Sequence, residues 1–447
     1  MYLPRYLVFS VMSVFITACG DTATLDVVEG TGTTPVLPAP NPSTLPTVNV
    51  AKAVGWPVTA KPSAAPGLQV QAFAQQLVHP RWLYVLPNGD ILVAETNAPA
   101  KADNSGGIKA WFMGKVMAYA GAGTPSPHRI TLLRDSNQDG VADIRSVFLQ
   151  DLHSPFGMVL VDNDFYVANT DSVMHYTYAP GQTEIKGAGT KLLALPAGDI
   201  NYHWTKNIIA SEDGGKLYVT VGSNSNVAEK GMAEETGRAA IWEVDRISGQ
   251  YRLFATGLRN PNGMAWVPNS ANGNSLWVTV NERDEIGSDL VPDYMTSVKD
   301  GGFYGWPYSY YGQHVDTRIS PQNPSLVASA LVPDYALGPH TASLGLTYSS
   351  KNALGQPFHH GMFIGQHGSW NRQPLSGYKV IFVPFNASSP AGPPVDILTD
   401  FLNSDGQAQG RPVGVIFDQQ GALLVADDVG NSIWRVTAQP PALAKNK

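Results

Sequence analysis

The amino-acid sequence predicts an all-β protein, a six-bladed β-propeller whose functional site lies in the central channel. The first observation is a short apolar strand that follows a turn and recurs six times, at 87–97, 161–171, 212–224, 269–283, 359–369 and 418–431. Equivalent residues of successive copies are 74, 52, 59, 86 and 60 positions apart. Repeats on this scale indicate stacked supersecondary units, and small sheets repeated radially form a propeller.

Composition is the second observation. The chain has 447 residues with 44 Gly and 34 Pro, and only 15% of its residues are charged. Such a chain is typical of many turns and few helices, so we expect only short helical turns, near 286–298 and within 311–340. The formal net charge is −7 without a basic run, which argues against nucleic acid as a partner.

The third observation is the strand that precedes each repeat copy, because each of these strands opens on polar residues. The same position in six blades is the same place in space, one rim of the channel, and convergent polar groups in a concave site indicate a binding site. The residues expected to converge there are His79, Arg81, His153, His203, Lys206, Arg259, Asn260, His340 and Arg411.

The N-terminus has the features of a bacterial lipoprotein leader. Arg5 is followed by an apolar stretch at 7–18 that is too short to span a bilayer. Cys19 is the only cysteine and directly follows this stretch, as in a lipobox whose cysteine is acylated. We therefore expect residues 1–18 to be a signal peptide and Cys19 to be lipidated, which gives a periplasm-facing lipoprotein of the outer membrane anchored through its lipid.

The remaining boundaries follow from composition. Residues 19–66 are rich in Thr, Pro and Ala and are expected to form a flexible tether after the lipidated cysteine. The propeller is predicted to span 67–436, and 437–447 to be a loose tail. The last blade is expected to combine strands from both ends of the domain.

One loop has the spacing of calcium ligands. Asp135, Asn137, Asp139 and Asp143 occupy relative positions 1, 3, 5 and 9, with Gly140 at position 6. Alternate oxygen-bearing side chains on a tight turn are what Ca²⁺ requires. Ser146 stands where an EF-hand has its glutamate, so an EF-hand is excluded; either a structural calcium site or a solvated acidic turn remains.

Several catalytic motifs are absent from the sequence. It contains no Gly-x-Ser-x-Gly elbow, no Walker A loop, no dinucleotide fingerprint after a strand and no His-Glu-x-x-His. The segment 365–380 instead places His367, Trp370 and Arg372 in a loop after the fifth repeat strand, where a functional role is favoured.

Three stretches resemble the pyrroloquinoline-quinone-dependent sugar dehydrogenases of the soluble glucose dehydrogenase and L-sorbosone dehydrogenase type. These stretches are GLRNPNGMAW (257–266), QHGSWNR (366–372) and NERDEIGSDLVPDYMTSVKDGGFYGWPYSYYG (281–312). The last two look most like the sorbosone dehydrogenase branch. The resemblance covers about 67–436 and implies a six-bladed propeller that oxidises a sugar or another aldose-like aldehyde, sorbosone-like, to a lactone or acid.

The resemblance also implies roles for individual residues. His203 matches the catalytic base, which takes a substrate proton while hydride passes to the quinone. Arg259 matches a catalytic residue that stabilises charge on the quinone, and Asn260 contacts the quinone beside it. Arg411 matches an arginine that grips a cofactor carboxylate, and His340 falls where glucose enzymes place a threonine near the cofactor.

The sequence departs from the glucose enzymes at three places. Their lysine clamp is not evident, and His367 or Arg372 is expected to replace it. The turn whose carbonyls hold the cofactor's calcium is replaced by Arg283, Asp284 and Glu285, which makes the two carboxylates candidate calcium ligands. A glutamine of the second blade is missing, and His153 stands there.

Two alternatives remain beside the dehydrogenase. Six-bladed propellers also serve as calcium-dependent lactonases, although the predicted rim is rich in His and Arg and has few acids. The other alternative is a non-catalytic binding protein of the cell envelope, because fold does not fix function. The electron acceptor cannot be named from the sequence.

Overall fold

The structure is a computed structural model of the chain, and it describes residues 20–42, 47–100, 114–269 and 273–440. The predicted signal peptide and Cys19 lie outside the described residues. Among the described residues, no helix has the length and apolar character needed to cross a membrane.

Six of the seven described sheets are arranged as the blades of a propeller, and the main strands of each blade pair antiparallel, which confirms the predicted fold. The main strands of blades 1 to 3 are Pro80–Val85, Ile91–Glu95, Arg129–Arg134 and Ile144–Leu149; Met158–Val161, Asp164–Ala168, Ser172–Thr177 and Thr190–Ala194; and Ile208–Ala210, Lys216–Val221, Ala240–Asp245 and Tyr251–Thr256. Those of blades 4 to 6 are Asn260–Val267, Ser275–Asn281, Pro292–Ser297 and Tyr335–Pro339; Ser343–Ser349, Gly361–Gln366, Lys379–Asn386 and Val395–Thr399; and Pro412–Phe417, Leu423–Asp427, Ser432–Ala438 and Leu68–Ala74.

The recurring apolar strand of the sequence is the second strand of every blade. In blades 1 and 6 it spans Ile91–Glu95 and Leu423–Asp427, and every residue of both strands is buried. A strand covered on both faces by neighbouring blades needs such a continuous apolar run rather than strict alternation. The core is accordingly divided into clusters, of which one joins blades 1 and 2 and another joins blades 5 and 6.

Blade 6 closes the ring with strands from both ends of the domain, as predicted. Leu68–Ala74 pairs antiparallel with Ser432–Ala438 and becomes the outermost strand of that blade. The final strand therefore extends two residues beyond the predicted end of the propeller at 436. The Gln439 amide then donates to the Gly67 carbonyl, so the first part of the predicted loose tail is hydrogen-bonded.

The flexible tether predicted for 19–66 is wrong for the described residues of that segment, which lie against the propeller. Thr31–Gly32 adds a strand to blade 4, and Ser63–Ala64 adds one to blade 5. The Trp56 ring packs edge-on against Phe401 and Trp434, and its indole donates to the Asp427 carboxylate. Composition alone suggested a tether, because this segment has no periodicity; a few apolar residues nevertheless bury enough surface to dock it.

The other described elements are short. A helix forms at Pro324–Ala328, inside the predicted 311–340 region, where the Asn323 side chain accepts from the Leu326 amide. The helical turn expected near 286–298 is wrong, because Pro292–Ser297 is the third strand of blade 4. Its β-branched and aromatic residues face the core there, with Tyr294 and Met295 fully buried.

Candidate active site

A cavity of about 220 Å³ opens on the predicted rim, between blades 3, 4 and 5. It is lined by Tyr202, His203, Arg259, Asn260, Asn281, Glu282, Asp284, Asp293, His340, Ala342, Trp370 and Asn371. Four residues predicted from the strand openings or from the family resemblance, His203, Arg259, Asn260 and His340, are among them. Asp284, a predicted calcium ligand, is also part of the lining.

Two kinds of chain position bring these side chains together. Tyr202 and His203 precede the first strand of blade 3, and Arg259 precedes that of blade 4. Asn281 and Glu282 stand where the second strand of blade 4 ends. Because adjacent antiparallel strands place the start of one beside the end of the other, both sets lie on the same rim.

His203 is held in one tautomer. Its Nδ1 lies 2.9 Å from the Ser223 carbonyl oxygen, which can only accept, so Nδ1 carries the hydrogen. Nε2 then carries the lone pair and has no hydrogen bond to any residue that the structure describes. Burial, and then the nearby Arg259 cation, hold the pKa of His203 well below its ordinary value, so the imidazole is neutral at pH 7.

Close backbone packing fixes this corner of the cavity. A Cβ added at Gly222 would lie 2.5 Å from Asn260 Oδ1 and 2.6 Å from His203 Cβ, so only glycine fits. The Asn260 Oδ1 atom is buried and accepts no hydrogen bond from any of the residues that the structure describes. A bound ligand that donates to this oxygen would satisfy it.

Arg259 is already saturated by protein acceptors. It donates to the Asn226 carbonyl and side chain at 3.2 and 3.0 Å, to the Asn281 and Glu282 carbonyls at 3.4 and 2.5 Å, and to Asp284 Oδ2 at 2.8 Å. Burial alone would raise the pKa of Asp284, but Arg259 and His340 hold it below its usual range. The ion pair therefore fixes the Asp284 carboxylate in its charged form.

Glu282 and Asp293 are two buried carboxylates that the sequence reasoning did not single out. Burial raises the pKa of Glu282 to about 7 and that of Asp293 to about 6. The Glu282 amide donates to Asp293 Oδ1 at 3.0 Å, and the Ser343 amide donates to Oδ2 at 3.2 Å. The expectation of a rim with few acids is thus wrong for this cavity, which contains three carboxyl groups.

A second group of charged residues lies on the same rim between blades 5, 6 and 1: His79, Arg81, His367, Arg411 and Asp428. Asp428 Oδ2 accepts from Arg81 at 2.7 Å and lies 2.9 Å from His367 Nε2. The Nε atoms of Arg81 and Arg411 are buried without a partner among the described residues. The His367 amide donates to the carbonyl of Ala342, which lines the cavity, so the two groups are contiguous.

Four other predicted rim or cofactor residues belong neither to the cavity nor to the second group. His153 is half exposed and pairs with Asp171 at 2.8 Å. Arg283 is buried in an ion pair with Asp316, and Arg372 donates to the carbonyls of Pro374 and Leu25. Lys206 lies beneath the rim, where its ammonium donates to the His203 and Trp204 carbonyls at 3.3 Å and burial holds its pKa well below the ordinary value.

The predicted calcium ligands do not form a cluster of three carboxylates in the described part of the chain. The described residues contain no cluster of three His, Cys, Asp or Glu side chains that could hold a metal ion. Asp135 accepts from the amides of Asp139 and Gly140, and Asp143 accepts from Ser136, so these carboxylates serve their own loop. Glu285 turns away from the cavity to pair with Arg318 at 2.8 Å. Calcium at either place stays a prediction.

Sequence comparisons place relatives of this chain among redox proteins. A pyrroloquinoline quinone-dependent pyranose dehydrogenase from Coprinopsis cinerea is 27% identical over 293 residues, which are 52% of this chain but 39% of that protein. An uncharacterised protein from Borreliella burgdorferi is 27% identical over 303 residues, 64% of this chain and 76% of that one.

Solved structures with the same fold include sugar dehydrogenases. The holo form of the Coprinopsis cinerea pyranose dehydrogenase domain has a TM-score of 0.66 at 21% identity and covers 87% of this chain and 100% of the domain. The soluble aldose sugar dehydrogenase of Escherichia coli has a TM-score of 0.56 at 14% identity, with 83% and 100% coverage. These structures share the fold, and together with the 27% identical pyranose dehydrogenase they confirm the resemblance stated from the sequence motifs.

A family model described as TrAA12-like matches residues 129–299 and 321–439. A structure from that carbohydrate-active family, a calcium form from Trichoderma reesei, has a TM-score of 0.66 at 17% identity and covers 88% of this chain and 99% of its own. Because the matched residues make up more than half of its length, the chain belongs to the TrAA12-like family.

Proposed function

We propose that the protein is a quinoprotein dehydrogenase that oxidises a sugar or aldose-like aldehyde, sorbosone-like, to a lactone or acid with pyrroloquinoline quinone as cofactor. The observation that carries this proposal is His203, a neutral imidazole whose unprotonated Nε2 is free at the wall of the cavity. A general base needs this protonation state and access at the working pH. The named activity of the fungal relative supports the same reaction class.

The residues fit a planar cofactor with three carboxylates. Two buried guanidiniums, Arg81 and Arg411, have Nε atoms without a partner among the described residues, and Asp428 is paired with Arg81, so this part of the rim favours an anion. Asn260 Oδ1, beside His203, is an acceptor without a hydrogen-bond donor in the described part of the chain. Arg411, His367 and Asn260 would hold the cofactor, while Arg259 would act through the Asp284 carboxylate that it fixes.

The chemistry divides between the cofactor and this chain. Bound quinone supplies the acceptor for the hydride that leaves the substrate carbon. His203 Nε2 accepts the proton of the substrate hydroxyl, and the Ser223 carbonyl keeps the imidazole in the tautomer that can do so. His340 lies on the other side of the cavity, where its Nε2 is hydrogen-bonded to the Gly287 carbonyl at 3.0 Å. Its Nδ1 lies 3.4 Å from Asp284 Oδ1 and helps to keep that carboxylate ionised.

The test uses the chain from residue 20 onward, because residues 20–42 and 47–66 lie against the propeller. The protein is titrated with pyrroloquinoline quinone with and without Ca²⁺, followed by cofactor absorbance and thermal shift, and then assayed for dye reduction with a panel of aldoses. Saturable binding and sugar-dependent reduction are expected. Absence of binding at micromolar cofactor would contradict the proposal, and hydrolysis of lactones instead would favour the calcium-dependent lactonase.

We also propose that Cys19 anchors the mature protein to the outer membrane and faces it toward the periplasm. The sequence position of Cys19 after the apolar leader supports this proposal. Cys19→Ser is expected to move the protein from the membrane fraction to the soluble fraction. Retention of the variant in the membrane fraction would contradict lipidation.

A further inference from the structure

The N-terminal segment lies directly against one loop of the cavity. The Asn49 amide donates to the Trp370 carbonyl at 2.9 Å, and its side-chain Nδ2 donates to the Arg372 carbonyl at 2.9 Å. Asn49 and Asn371 also form a parallel bridge. Asn49 therefore holds the backbone on both sides of Asn371, which lines the cavity.

Asn371 transmits this contact to the charged wall. Its Nδ2 donates to Asp284 Oδ1 at 2.8 Å, and the other oxygen of Asp284 accepts from Arg259 at 2.8 Å. The same Nδ2 lies 3.2 Å from His340 Nδ1. A shift of the 370–372 backbone would move the hydrogen bond that orients Asp284.

The loop that carries Asp284 is fastened to the same N-terminal segment. The Ser288 amide donates to the Asp21 side chain at 2.7 Å, and the Ser288 hydroxyl donates to the Asp21 carbonyl at 2.8 Å. The Thr24 amide donates to Asp289 Oδ2 at 2.7 Å. A Cβ added at Gly20 would lie 2.6 Å from Thr47 Cα, so the start of this segment touches the residues just before Asn49.

We infer that the N-terminal segment is a working part of the active site, and that Asn49 is a positioning residue that sets Asn371 against Asp284. The kinetic consequence rests on the proposed dehydrogenase function. The expected change in the position of the 370–372 and 284–289 loops does not rest on that function, because the contacts from Asn49 to Asp284 involve only this chain. If residues 20–66 were only a flexible tether, substitution of Asn49 would change neither the kinetics nor these loops.

The test compares Asn49→Ala and Asn49→Asp with Lys61→Met in the chain from residue 20 onward. Asp keeps the size of the side chain but loses the donor to Arg372. Lys61 belongs to the same segment but donates to the Val70 carbonyl on the outer strand of blade 6, so it is the matched control. Thermal unfolding confirms that each variant is folded.

The first readout is backbone amide exchange over 369–373 and 284–289, measured without cofactor or substrate. Both Asn49 variants are expected to exchange faster in these loops, on the order of fivefold for one lost hydrogen bond, and Lys61→Met is expected to match the unsubstituted chain. Unchanged exchange in the Asn49 variants, or equal acceleration in Lys61→Met, would overturn the inference.

The second readout is kcat per bound cofactor, together with KM for the sugar. Misplacement of a fixed carboxylate is expected to lower kcat about tenfold in the Asn49 variants with a smaller change in KM. A kcat equal to that of the unsubstituted chain would also overturn the inference. If the unsubstituted chain shows no turnover at all, the proposed function fails, while the exchange measurement still decides the role of Asn49.

Discussion

The two halves of the rim differ in how their charges are balanced. In the open half, the cavity between blades 3, 4 and 5, Arg259 donates every N–H to protein acceptors and is paired with Asp284. In the closed half, the group of His79, Arg81, His367, Arg411 and Asp428, one carboxylate is shared by a guanidinium and an imidazole, and two guanidinium Nε atoms have no partner among the described residues.

This difference suggests a division of labour. The open half is electrostatically preorganised, because its charges are fixed by mutual hydrogen bonds and need not rearrange during a reaction. The closed half contains guanidinium Nε–H donors without an acceptor among the described residues, which favours it as the place where a ligand's negative charge binds. The proposed base, His203, belongs to the open half, and the proposed carboxylate-binding Arg411 belongs to the closed half.

The largest expected effect is loss of the base in the open half. His203→Ala is expected to lower kcat by roughly 10²- to 10⁴-fold, because a positioned base contributes that much to proton transfer. Cofactor affinity, measured by titration of absorbance, is expected to change little. Turnover within threefold of the unsubstituted chain would assign the proton to another group.

Removal of the shared carboxylate should destabilise the closed half. Asp428→Asn leaves Arg81 buried without its ion pair, and breaking such a pair costs about 3–5 kcal/mol in the free energy of unfolding. Denaturant unfolding measures this change. Asp300→Asn, which breaks a pair of exposed side chains with Arg252, is the control and should change stability by less than about 1 kcal/mol. Equal effects would remove the proposed distinction between buried and exposed charge here.

The guanidinium donors of the closed half that lack an acceptor among the described residues predict an effect on cofactor affinity rather than on kcat. Arg411→Ala is expected to weaken pyrroloquinoline quinone binding by roughly ten- to a hundredfold, since a charge-assisted hydrogen bond contributes about 1.5–3 kcal/mol. Once the cofactor is saturating, kcat should stay close to that of the unsubstituted chain. A fall in kcat with unchanged affinity would instead place Arg411 in the reacting part of the site.

The acid limb of activity should reflect the low pKa of His203. The pKa is lowered by burial and by Arg259, so the imidazole stays unprotonated across neutral pH and protonates only in acid. Because the unprotonated form is the base, kcat/KM should fall about tenfold per pH unit below the pKa and show no loss on this limb above pH 6.5. An apparent pKa above 6.5 in the acid limb would contradict this assignment.

The blades were predictable because the second strand of each one is a continuous apolar run after a turn, and this signal depends only on local sequence. The residues that precede the first strands of blades 3, 4 and 5 were also predicted to converge, and His203, Arg259 and His340 do line the cavity. The missed Glu282 had a signal too. The fourth repeat copy ends on Glu282 and Arg283, and the end of its strand lies beside the start of the first strand of the same blade on the rim.

Other features needed three-dimensional information. The docking of 20–42 and 47–66 depends on contacts such as that of Trp56 with Asp427, which are more than 300 residues apart and leave no periodic pattern in the sequence. The saturation of Arg259 depends on acceptors from two separate segments, Asn226 and residues 281–284, so its residue type alone could not show whether its donors were free.

The smallest effect is expected at blade 2, whose opening belongs to neither half. His153 was predicted to take part in cofactor binding, but its side chain is about half exposed and pairs with Asp171, which is also partly exposed. His153→Ala should therefore change cofactor affinity, kcat and stability by less than about threefold or 1 kcal/mol. If His153→Ala weakened cofactor binding as strongly as Arg411→Ala, His153 of blade 2 would have to contact the cofactor in the bound state. The charge balance of the whole rim, rather than of its two halves, would then determine where the ligand lies.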